Sequence, residues 1–88
     1  MPTPVSNELH LRRLTVEEAL YRLDAYLDAA LMAGHTTVRI IHGKGTGQLK
    51  AKVIATLQKH PLVIGHRPAG HGGGNWGATL VDLRLDSD

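Results

Sequence analysis

The sequence predicts a two-layer α/β sandwich, a four-stranded mixed sheet with two helices packed on one face. Three observations predict it. Apolar residues recur at helical steps of three and four in Val16–Met32 and again from Leu49 to Leu57, and at steps of two in shorter β-branched segments. These segments alternate as β-α-β-α-β-β, so strands joined through a helix should run parallel and the last two antiparallel. The 88 residues suit one domain with a modest core.

Each element has its own signal. Residues 1–7 (MPTPVSN) carry two prolines and no periodicity, and read as a flexible leader or linker remnant. The domain proper then spans 8–85, with 86–88 as a polar tail. Glu8–Leu11 alternates polar and apolar, which marks a short strand. Thr15 and Glu18 form a capping box, and Val16, Leu20, Leu23, Leu27, Ala30 and Leu31 make one apolar stripe behind it. Thr37–Ile41 is β-branched apart from Arg39 and reads as a largely buried strand. A second helix begins near Gln48 or Leu49, shows Leu49, Val53 and Leu57 on one side, and ends before Pro61. Leu62–His66 is a third strand. RPAGHGGGNWG (67–77) holds five of the ten glycines and is a loop. In Ala78–Leu85, Thr79, Val81, Leu83 and Leu85 alternate with Asp82 and Arg84, a strand with one buried face.

Composition removes several classes of function. There is no cysteine, so disulfides and thiolate zinc sites are excluded. No apolar run approaches the ~20 residues of a membrane span, and the first residues lack a signal peptide's basic and apolar regions. The expectation is a cytoplasmic domain with no membrane partner. Net charge is only +2, so an anionic partner must be argued from where Lys and Arg lie. Tyr21, Tyr26 and Trp76 are the only aromatics, too few for a sheet that stacks several bases.

The chemistry concentrates in IIHGKGTGQLK (Ile40–Lys50). This loop follows a parallel strand at its carboxyl end, the edge where open α/β sheets bind ligands. The helix after it offers unpaired N–H groups and a positive dipole end, which together favour an anion. Gly43, Gly45 and Gly47 let backbone approach a phosphate, Lys44 adds charge and Thr46 a hydroxyl. A strand-to-helix turn would also use glycine for geometry alone. The P-loop is absent because Lys44 is followed by Gly45, and the dinucleotide fingerprint fails because residue 48 is Gln.

His42 is the loop residue able to move a proton near neutral pH. His10 and Arg12 share one face at the end of the neighbouring strand and are expected beside it; a solvated basic face is the plainer alternative. Arg13, Lys50, Arg67 and His71 could extend contacts to nucleic acid. Lys52 and Lys59 fit a solvated helix face as well as a phosphate track. Trp76 could stack on a base or fold against the core. Histidine spacings for a metal are lacking, so a divalent ion such as Mg²⁺ or Mn²⁺ would be shared with substrate phosphates, with no tightly bound cofactor.

ELHLRRLTVEEAL (Glu8–Leu20), VRIIHGKGTGQLK (Val38–Lys50) and GATLVDL (Gly77–Leu83) resemble the three blocks of the Smr (small MutS-related) domain, most like the C-terminal domain of bacterial type-two MutS homologues. The resemblance spans Glu8 to Arg84. It implies a fold like that of the C-terminal domain of translation initiation factor three, and a low-specificity nicking endonuclease acting on DNA, often branched. Some relatives act on RNA at stalled ribosomes. It also implies that the remainder of a larger MutS-like ATPase, without a mismatch-repair role, accompanies the domain. The first family block is L-D-x-H or L-D-L-R followed by Gly. Leu9, Leu11 and Arg12 match it, while His10 stands where Asp is expected and Arg13 where Gly is expected.

Three functions compete. In the first, a phosphodiesterase, the loop amides, Lys44 and Arg12 stabilise charge on the scissile phosphate, and His42 acts as base or acid with His10. In the second, the same edge docks on nucleic acid or a ribosome without cleavage. The third is an interaction domain with no nucleic-acid contact. His42 and Lys44 favour the first, and the missing Asp the second.

Overall fold

The computed structural model describes residues 5–43, 47–69 and 77–84. The expectations for Lys44, Gly45, Thr46, His71, Trp76 and Leu85 fall outside the described residues. The elements are β1 (Glu8–His10), α1 (Val16–Met32), β2 (Thr37–Ile41), α2 (Gln48–Lys59), β3 (Val63–Pro68) and β4 (Ala78–Leu83). They form the β-α-β-α-β-β sandwich that the periodicities predict.

Strand order is β1-β2-β4-β3, with β1 parallel to β2 and β4 antiparallel to both its neighbours. Burial explains the placement. In β4, Thr79, Val81 and Leu83 are buried, as are Val38 and Ile40 of β2, and these two strands take the centre. β3 exposes Ile64, Arg67 and Pro68 and forms an edge. It starts one residue later than expected and runs two further, because pairing continues through Arg67 opposite Leu80 and Pro68 opposite Thr79. A proline fits there because an edge strand needs no N–H on its open side.

The covered face of the sheet meets Leu23, Leu27 and Ala30 of α1 and Val53 and Leu57 of α2, all buried. Ala19 joins them, while Leu20 and Leu31 are only partly buried. The α1 stripe is thus rotated toward Ala19, one turn before Leu23. At the start of α1, the Thr15 hydroxyl accepts from the Glu18 N–H at 3.1 Å and the Glu18 carboxylate accepts from the Thr15 N–H at 3.0 Å. Such a cap stabilises a helix by about 1 kcal/mol.

Residues 5–7 differ from the expected leader. Val5 packs against the core. Its carbonyl accepts from His35 Nε2 at 2.7 Å, the Ser6 carbonyl accepts from the Tyr26 hydroxyl, and the Asn7 carbonyl accepts from the Arg39 N–H at 2.8 Å. Burial, with the Glu8 charge nearby, pushes the Tyr26 phenol up to about 12. Backbone carbonyls anchored by distant side chains leave no periodic trace in the segment that supplies them.

Candidate functional site

The carboxyl ends of β1 and β2 lie side by side beneath the starts of both helices. Arg12 and Arg13, Thr15 and Val16 of the α1 start, His42 and Gly43 after β2, and Gly47 to Lys50 at the α2 start line one cleft of about 710 Å³. The two helix starts differ. That of α1 is closed by its own capping box and has Glu17 and Glu18 in the first turn. That of α2 is capped by Gly47 with no side-chain hydrogen bond and has no acidic residue in the first turn. Its positive dipole end is therefore not offset by its own side chains.

The glycines serve the backbone here. Gly43 and Gly47 both have φ +86°, a conformation side-chain-bearing residues rarely adopt. A Cβ on Gly43 would also stand 3.1 Å from Cγ of Arg12, so the Arg12 stem lies across the loop. The Gly77 carbonyl accepts from both the His42 N–H, at 2.8 Å, and the Gly43 N–H, at 2.9 Å. Those two loop amides are consumed within the protein.

His42 is 4 % exposed. It sits two residues beyond the buried Ile40, on the covered face. The Gly43 carbonyl can only accept, so Nδ1 carries the proton and donates to it at 3.1 Å. Nε2 is left to accept from the buried Thr79 hydroxyl at 3.0 Å. Burial lowers the imidazole pKa, the bond to Gly43 opposes that, and the Lys50 charge adds to it. The ring is thus held neutral with both nitrogens engaged. To carry a proton at a phosphate, His42 would first have to release one partner.

His10 does not join it. Its register partner is Ile41, so alternation puts it on the open face, where its Nε2 lies 3.6 Å from Glu8. Arg67 is also elsewhere, on edge strand β3, donating to the Asp82 carboxylate at 2.6 Å. Of the described candidates, Arg12, Arg13, His42, Gly43, Gly47 and Lys50 come together. Reasoning from sequence missed Gly77 and Thr79 as parts of the site. The signal for Thr79 was present: it is the polar residue on the β4 face that it shares with Val81 and Leu83. Among the described lining residues there is no carboxylate.

A family model of the Smr domain matches residues 9–84. The chain is 52 % identical over 81 residues to a protein of Thermomicrobium roseum named endonuclease MutS2, covering 92 % of this chain and 10 % of that one. It is 45 % identical over 82 residues to the endonuclease MutS2 of Fusobacterium nucleatum, covering 93 % and 10 %. It thus spans about a tenth of the length of these curated relatives. Among solved structures, the Smr domain of Thermus thermophilus MutS2 superposes with a TM-score of 0.83 at 42 % identity, over 88 % of this chain and 96 % of that one. YdaL, a stand-alone small MutS-related protein from Escherichia coli, gives 0.78 at 32 % identity, over 94 % and 66 %.

Proposed function

Because this chain belongs to the Smr domain family, we propose that it binds nucleic acid through the cleft and hydrolyses a DNA phosphodiester there with low sequence specificity, as part of a longer MutS-like chain. The observation that carries the proposal is the contrast between the two helix starts. One is neutralised by its own Glu residues, and the other opens with glycine beside Arg12, Arg13 and Lys50. An anion gains from a helix N-terminus and from each nearby cation, and a backbone phosphate fits a cleft that gathers Arg12, Arg13 and Lys50 around such a terminus.

In this reading water attacks phosphorus and gives up a proton to solvent, and one ester oxygen leaves and takes a proton from solvent. Negative charge grows on the non-bridging oxygens, where the α2 N–H groups, Arg12 and Lys50 oppose it. His42 serves by holding Gly43, the first residue of the loop, in place. Lys44 supplies a further charge. A Mg²⁺ or Mn²⁺ ion would arrive with the substrate, bound to its phosphates. The test is conversion of supercoiled plasmid to open circle by the purified domain, with Mg²⁺, Mn²⁺ or EDTA. The doubly substituted Arg12→Ala/Lys50→Ala domain should be at least about tenfold slower. Equal rates for the two proteins would refute the assignment.

A second reading, binding without cleavage, is favoured by one observation: the engaged nitrogens of His42 and the distance of His10 leave no free acid–base group among the described cleft residues. It expects salt-dependent DNA or RNA binding and no nicking under any metal condition.

A further inference from the structure

Among the described residues, two polar side chains are buried, His42 and Thr79, and they are bonded to each other. A buried hydroxyl on a strand is costly unless partnered, and valine would fill the same space without that cost. The threonine must therefore be explained by what its hydroxyl does. The Gly43 carbonyl can only accept and so keeps the ring proton at Nδ1, and the Thr79 hydroxyl donates to the lone pair left at Nε2. The chain of bonds runs from β4, through the ring, to the first residue of the loop. Gly77, two residues before Thr79, holds the His42 and Gly43 N–H groups from the other side. Among the described residues, the Lys50 charge of α2 acts on the ring, and the stem of Arg12 lies across Gly43.

We propose that Thr79 is a positioning residue of the cleft: its hydroxyl, donating to Nε2, holds the His42 ring in the orientation that keeps Nδ1–H on the Gly43 carbonyl, and so holds Gly43 in place at the edge of the cleft. The functional half of this assignment rests on the cleft being the site of DNA cleavage; the structural half does not.

The experiment separates the two. Long-range ¹H–¹⁵N correlation of the imidazole nitrogens in the intact domain reads the tautomer directly. The wild type should show a protonated Nδ1 and an unprotonated Nε2 for His42. Thr79→Ser should keep that signature, and Thr79→Val should shift the Nε2 resonance as its hydrogen bond is lost and speed amide exchange at Gly43. In the plasmid assay kcat/KM should fall by about tenfold to a hundredfold in Thr79→Val, the scale of a misplaced group, and return most of the way in Thr79→Ser. A wild-type ring protonated at Nε2 overturns the proposal, even if Thr79→Val fails to fold. So does a Thr79→Val protein with wild-type Gly43 amide exchange and a rate within about twofold. If the wild type does not nick at all, the cleavage reading falls, and the ring signature with Gly43 exchange still decides the role of Thr79.

Discussion

Gly77 and Gly43 touch backbone to backbone: a methyl group at position 77 would stand 3.2 Å from both Cα and the carbonyl carbon of Gly43. Nothing flexible is in the way, so the loop itself must shift by a few tenths of an ångström. Gly77→Ala should therefore cost about 1 kcal/mol of stability, at the low end of overpacking, yet lower nicking by about tenfold or more. Urea unfolding and the plasmid assay check the two numbers. An unchanged rate would show that the loop tolerates displacement.

Arg13 has φ +69°, the left-handed region, without being glycine. That conformation costs a side-chain-bearing residue about 1 kcal/mol. Arg13→Gly should raise stability by about that amount, or roughly 4–8 °C in a domain of this size. Arg13→Ala should not, which separates relief of strain from loss of charge. Differential scanning calorimetry of the three proteins decides it.

Arg12 and Lys50 line the cleft, whereas Arg67 is occupied by Asp82 on the far strand. If each of the first two meets one phosphate, Arg12→Ala and Lys50→Ala should each reduce the slope of log K against log salt by about 1. Arg67→Ala should leave the slope alone. Fluorescence anisotropy with a labelled duplex over a salt series gives all three slopes.

Burial holds the His42 pKa below its ordinary value. As pH falls through the imidazole range, the unfolded chain therefore takes up a proton that the folded state resists. Its contribution to stability is present above the unfolded pKa and is lost as pH drops toward the folded one. Urea unfolding of the wild type should show stability declining below about pH 6.5, and His42→Gln should show a shallower decline over the same window. Equal slopes would mean that His42 does not resist protonation.

The fold was legible because its signals are local. The Thr15–Glu18 box and the steps of Leu23 and Leu27 define α1 without any tertiary knowledge, and β2 is bounded by its own β-branched residues. Strand order was not, since period-two alternation shows which residues share a face but not which strand lies beside them. The site was half legible. The glycines, Lys50 and Arg12 were legible as candidates because charge and backbone freedom are properties of residue types, and they line one cleft. The inward turn of His42 depends on where Thr79 arrives, from a strand far along the chain, and so does the parting of His42 and His10 to opposite faces. The strain at Arg13 is invisible in composition; the family block, with Gly at this position, signalled it, and the positive φ supplies the physical reason.

β2 and β4 lie side by side and run in opposite directions, with Ile41 opposite Ala78. The segment leaving one strand and the segment entering the other therefore share a single rim, although they are far apart in the chain. Neither contributes to the ladder formed by Val38, Ile40 and Val81. A shift at Gly77 therefore reaches His42 and Gly43 directly, through one carbonyl that holds both amides, while Val38, Ile40 and Val81 keep their places in the sheet. The rim and the frame of the domain answer to different residues.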